Sequence, residues 1–107
     1  MSAISQFDVV DNPFPGSRER KPYLVALQSD LLSRNLDTVV VAPLEPATAG
    51  AFADRLNPRI NLDSSEFVLV AQELVTVRQS ALGRPRASLT SERDRIIAAL
   101  DMLFTGF

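Results

Sequence analysis

The residues with the chemistry to make or break bonds are few in this chain. Asp8 with Asp11 and Asp63 with Glu66 are acid pairs that could hold a divalent cation or share a proton in acid–base work. Acids at such places ordinarily populate turns and solvated strand faces, so neither pair marks a site by itself. Ser64 and Ser65 offer a hydroxyl nucleophile beside Asp63, but the chain has no histidine, and the base would have to be Lys21, its one lysine, or an acid. Turn chemistry explains those serines better. The lack of histidine also removes the Ser-His triad and the commonest transition-metal ligand. The lack of cysteine removes thiolate nucleophiles, disulfides and zinc–cysteine sites. Neither G-x-G-x-x-G nor G-x-x-x-x-G-K-[ST] occurs among the four glycines, so no phosphate loop is expected. The sequence therefore predicts no catalytic residue, no metal and no cofactor.

Two clusters suit binding instead. Arg84, Arg86, Arg93 and Arg95 crowd a short stretch that could hold an acidic peptide or a phosphate, although Glu92 and Asp94 can pair with them on a solvated face. No aromatic residues interleave with these arginines as a base-stacking surface requires. At the other cluster, Met102-Leu103-Phe104-Thr105-Gly106-Phe107 puts large apolar groups where chains usually fray. Either Phe104 and Phe107 finish a core or dimer seam, or Gly106 lets the chain turn so that Phe107 and the terminal carboxylate project into a partner's groove. The two roles coexist if Phe104 packs inward and the last three residues face out.

The elements that position these residues must come from one domain, because 107 residues leave no room for a second comparable core. A composition 46% hydrophobic and 22% charged is that of a folding chain. A formal charge of −2 provides no net positive field for DNA or anionic lipid. The start has no basic region followed by an apolar stretch, and no apolar run approaches membrane-spanning length, so a soluble cytoplasmic protein is expected.

Strands are predicted at 7–10, 23–27 and 38–41, the last stopping at Ala42-Pro43 because proline removes a ladder donor. Residues 11–22 form a loop, and Leu31 and Leu32 fall in a bend. Residues 44–57 are ambiguous. A hairpin joins 59–62 to 67–71 through Asp63-Ser64-Ser65, and 74–77 supplies a last strand before Gly83-Arg84-Pro85-Arg86 ends the β portion. Residues 91–104 read as a helix capped by Thr90 or Ser91, with Glu92 in its first turn. Ile96, Leu100, Leu103 and Phe104 share one side, yet Ile97, Ala98, Ala99 and Met102 spread apolar surface round most of the wheel. A helix so apolar needs two partners, its own sheet and another subunit, which predicts a homodimer.

The order and spacing of Gln6-Phe7-x-Val9, Gln28-Ser29-Asp30-Leu31-Leu32, Val40-Val41-Ala42-Pro43-Leu44, Leu56-x-Pro58, Gly83, Leu89-Thr90, Ile96 and Phe104-x-Gly106 resemble the CcdB family of plasmid-addiction toxins. The likeness runs from Gln6 to Phe107, with extra residues in the loop after the first strand and around Ser33 to Asp37. It implies a mainly β (α+β) fold, an SH3-like antiparallel barrel of CcdB/MazF type with a C-terminal α-helix, dimeric through that helix and neighbouring strands. By position, Ile97, Leu100 and Phe104 fall at that interface.

The resemblance further implies a non-enzymatic toxin that binds the A subunit of DNA gyrase and traps the enzyme on cut DNA, restrained by a CcdA-like antitoxin. Carried over by motif, the gyrase contacts are Leu31, Leu32, Asp101, Phe104, Thr105, Gly106 and Phe107. Arg84 and Arg86 are the candidates for holding the antitoxin. Thr105 stands where the well-known toxins have a tryptophan stacked on gyrase arginines, and Asp101 replaces a neutral amide. Two other readings of the same fold are an endoribonuclease, as in barrels of the MazF and Kid type, and a diverged non-toxic dimer that keeps antitoxin binding.

Overall fold

Among the described residues seven strands form where the sequence marks six, all paired antiparallel: β1 (Asp8–Asp11), β2 (Tyr23–Ala26), β3 (Thr38–Pro46), β4 (Arg59–Leu62), β5 (Ser65–Leu69), β6 (Val75–Arg78) and β7 (Ala87–Ser88). The computed structural model describes residues 4–50 and 52–107. The strands run in the order β4-β5-β3-β2-β1-β7, with β6 paired to β3, and curl into a half-barrel. Two helices complete it, α1 (Asp30–Asn35) and the C-terminal α2 (Arg93–Thr105). The mainly β architecture with a C-terminal helix is the one expected.

β3 does not stop at Pro43, and its partners show why. Residues Thr38–Val41 pair with β6, while Leu44–Pro46 pair with β5 on the same edge. Pro43 falls in the gap between the two. Its carbonyl accepts from Val70 N (2.9 Å) on that edge, and a strand residue's N–H and C=O point the same way, so the missing donor faces the gap. One continuous strand thereby serves two partners.

Successive residues of β1, β2 and β3 alternate between two apolar layers. Val9, Val25, Ala42 and Leu44 join Phe7, Ile60, Phe67, Leu69, Leu89 and Ile96 in one, and Val10, Leu24, Ala26, Val39, Val41 and Val77 form the other. Phe7 fastens the first layer. It sits at φ 71 in the turn closed by Asp8 N donating to Ser5 O (3.0 Å), a conformation that disfavours an aromatic residue. Its ring is 3% exposed, and its carbonyl accepts from Leu89 N (2.8 Å) just ahead of α2. Burial of that ring offsets a backbone cost of order 1–3 kcal/mol.

Three further local expectations are corrected. The β portion does not end at residue 86: Val9 pairs with Ala87 and Asp8 with Ser88, so β7 extends the sheet beyond β1. Neither Thr90 nor Ser91 caps α2, because a single 3-10 turn (Thr90–Glu92) leads into it and Glu92 occupies the cap position without a side-chain bond. The Thr90 hydroxyl is within 2.8 Å of the Ser88 hydroxyl instead. Leu31 and Leu32 lie in a helix, not a bend. Ser29 caps α1 by accepting from Leu32 N (3.4 Å), and Gln79 Nε2 donates to the carbonyls of Ser33 and Leu36 (both 2.8 Å). Amide clamps, rather than an apolar stripe, dock these six residues, which left no periodicity to read.

Candidate functional site

The end of α2 is built to stop cleanly. Gly106 adopts φ 81 and its N–H donates to Met102 O (3.0 Å), a left-handed cap that turns the chain off the helix. A Cβ there would meet nothing within 4 Å, so glycine is required by backbone conformation and not by space. Gly106→Ala is therefore expected to cost about 1 kcal/mol, confined to the last turn. Hydrogen exchange of the amides at 103–106 checks this, and protection unchanged from wild type would contradict it.

Around that cap lie Asp101, Phe104, Thr105 and Phe107, all exposed, with Phe104 at 70% and Phe107 at 77%. The Thr105 hydroxyl donates back to Asp101 O (2.7 Å), so it is engaged within its own helix. The Arg55 guanidinium donates to the Phe107 backbone carbonyl, tying the chain after α2 to the 52–58 loop. Sequence reasoning missed Arg55: an isolated arginine in a stretch without periodicity carries no signal. Higher on α2, Ile96 and Ala99 are buried, while Ile97 and Leu100 are half-buried against the first apolar layer. Of the three positions expected at a dimer seam, only Phe104 stands fully clear.

Leu31 and Leu32 form a second apolar surface on α1, at 64% and 49% exposure, beside exposed Leu36. No hydrogen bond or ion pair among the described residues joins this surface to the α2 end. Neither leucine belongs to the two apolar layers. The contact positions expected from sequence thus occupy two helices, α1 and α2.

The arginine cluster is dispersed by the fold. Arg86 lies 3.2 Å from Asp11 and 4.0 Å from Asp63, with its guanidinium 5.6 Å from the Tyr23 ring, which itself packs edge-on against Phe67. Its charge is met within the molecule, although each such exposed pair contributes no more than about 1 kcal/mol. Arg95 donates to Glu92 (2.6 Å) and Arg93 lies over Phe7. Arg84 is exposed with no ion pair among the described residues. The acids are likewise occupied: the Asp8 carboxylate accepts from Ser5 N (2.9 Å), and Glu66 pairs with Arg59 (3.2 Å). Asp63 and Ser64, at φ 51 and 67, make the two-residue turn of the β4–β5 hairpin. Among the described residues the arrangement offers exposed apolar surfaces at Leu31, Leu32, Phe104 and Phe107. No helix among the described residues is long and apolar enough to cross a membrane.

Comparison with known proteins places these features. The family model described as CcdB protein matches residues 6–106. A sequence search of curated proteins returns no match. Among solved structures, the chain is similar to one described as the crystal structure of an Mtb toxin, at 19% identity over 81% of this chain and 92% of that one, with a TM-score of 0.61. It is also similar to the Mycobacterium tuberculosis toxin MazF-mt6, at 17% identity over 91% of this chain and 93% of that one, with a TM-score of 0.65. At these identities the likeness concerns the fold alone.

Proposed function

The chain belongs to the CcdB family of toxins, and from that premise we propose that it acts on the A subunit of DNA gyrase, as a homodimer, through the end of α2. The observation that carries this reading is the pair of phenylalanines, Phe104 and Phe107, held in solvent around a left-handed glycine cap. Such rings at a rigid helix end are the anchors that dominate protein interfaces. Asp101, Thr105 and Gly106 complete that contact, and Leu31 and Leu32 supply a second one from α1. Ile97 and Leu100, half-buried beside exposed Phe104, form the dimer seam. The toxin is an inhibitor and not an enzyme, works in the cytoplasm where gyrase meets DNA, and is restrained by a small antitoxin held by Arg84 and Arg86, of which Arg84 has no ion pair among the described residues.

The test is to incubate the protein with its host's gyrase and plasmid DNA, beside a version lacking Thr105 to Phe107. Trapped double-strand cleavage by the full chain alone is the expected outcome. Equal cleavage by both moves the contact elsewhere, and cleavage by neither removes gyrase as the target. Cut RNA in a parallel incubation would support the ribonuclease reading instead.

A further inference from the structure

Arg55 reaches the chain beyond α2 from a distant part of the fold, and its own footing is firm. The turn that carries it is closed by Asn57, whose backbone N–H donates to Ala53 O (2.7 Å) and whose side-chain oxygen accepts from Ala53 N (3.2 Å). Asn57 is 2% exposed, and its side-chain amide donates to Leu69 O (3.1 Å) and to Gln72 Oε1 (2.8 Å). Leu69 N donates in turn to Pro58 O (3.0 Å), so the 52–58 loop is fastened to the end of β5. Arg55 extends from this base, exposed and with no ion pair among the described residues.

Its guanidinium donates to the Phe107 carbonyl, a charge-assisted bond stronger than one from a neutral donor. On the other side of Phe107, Gly106 N closes the helix cap on Met102 O. Phe107 is thereby held through backbone on both flanks. Packing does not hold it: the ring is 77% exposed and belongs neither to the two apolar layers nor to the residues packed against them. Phe104 differs, because it lies within α2 and the helix itself orders its backbone. An exposed ring past a helix end ordinarily samples many conformations, and a partner that takes it up must bear the entropy of fixing it. A tether that fixes the backbone beforehand removes part of that cost.

We propose that Arg55 is a positioning residue: by binding the Phe107 carbonyl to the 52–58 loop, it presents the exposed ring to a protein partner already ordered. This rests on the reading of the α2 end as the gyrase contact and adds to that contact a residue from another element. Arg55 acts through Phe107, and the effect requires no touch between Arg55 and the partner.

Phe107→Trp places a single indole in a chain that has no tryptophan, and time-resolved fluorescence anisotropy reads its local motion. Adding Arg55→Ala is expected to raise the amplitude of the fast local component about twofold, while the same substitution leaves a Phe104→Trp reporter unchanged. Surface plasmon resonance on immobilised gyrase A then compares wild type, Arg55→Ala, Phe107→Ala and the double variant. Arg55→Ala alone is expected to weaken binding roughly three- to tenfold and to weaken it no further once the ring is gone. The proposal is overturned by an unchanged anisotropy decay, by binding of Arg55→Ala as tight as wild type or tighter, or by a loss that persists undiminished in the Phe107→Ala background, which puts Arg55 on the partner itself. No binding of wild type to gyrase A removes the gyrase reading alone, and the anisotropy decay still decides whether Arg55 holds the ring.

Discussion

If gyrase A is the target, Thr105→Trp is expected to tighten binding to it by roughly 30-fold, the equivalent of about 2 kcal/mol for one aromatic anchor at an interface. The position favours the change. Thr105 is the last residue of α2, it is exposed, and its hydroxyl is bonded to Asp101 O, so the only interaction removed is a solvent-accessible hydrogen bond to its own helix. A tryptophan there projects beside Phe104 with no core to disturb. Surface plasmon resonance with immobilised gyrase A reads the change directly. A variant no tighter than wild type would mean that Phe107 already fills the aromatic role or that gyrase is not the target, and the truncation lacking Thr105 to Phe107 separates these two.

Ile96→Ala has the largest effect expected on stability, about 2–5 kcal/mol, seen as a fall in Tm of roughly 10–20 °C. Ile96 is 0% exposed and packs with Phe7, Val25, Leu44 and Leu89 in the first apolar layer, so the cavity left is enclosed. Phe104→Ala, eight residues further along the same helix, is expected to change stability by less than about 0.5 kcal/mol because its ring is 70% exposed. Calorimetry over a range of protein concentrations checks both. A large, concentration-dependent loss at Phe104→Ala would place that ring in the dimer seam rather than on the gyrase surface, while a small loss at Ile96→Ala would contradict the packing of α2.

The strands that alternate or run apolar, such as Thr38–Val41 and the β4–β5 hairpin, were legible because local pattern sufficed to specify them. What escaped depends on distant partners. Pro43 reads as a stop until β3 is seen to change partners there, and β7 is two residues whose pairing with β1 has no local pattern. α1 is held by Gln79, more than forty residues away. The same holds for the binding residues. The apolar end of α2 stood out by composition and by Gly106. The arginine cluster misled, because nothing near Arg86 in sequence shows that Asp11, Asp63 and Tyr23 surround it in space. Arg84 has no ion pair among the described residues for a reason equally invisible beforehand, since none of their acids is folded against it.

The pairing of Val9 with Ala87 also sets when the molecule can exist. The sheet's first strand waits for its last before that edge can form, and Phe7 cannot be enclosed until Leu89 and Ile96 have been made. Contacts so remote along the chain make folding slow compared with a helical bundle of the same size, and little of it can finish during synthesis. The ribosome delivers Phe104 to Phe107 after every element that supports them. A message cut short before β7 therefore yields a chain in which neither that sheet edge nor the enclosure of Phe7 can form.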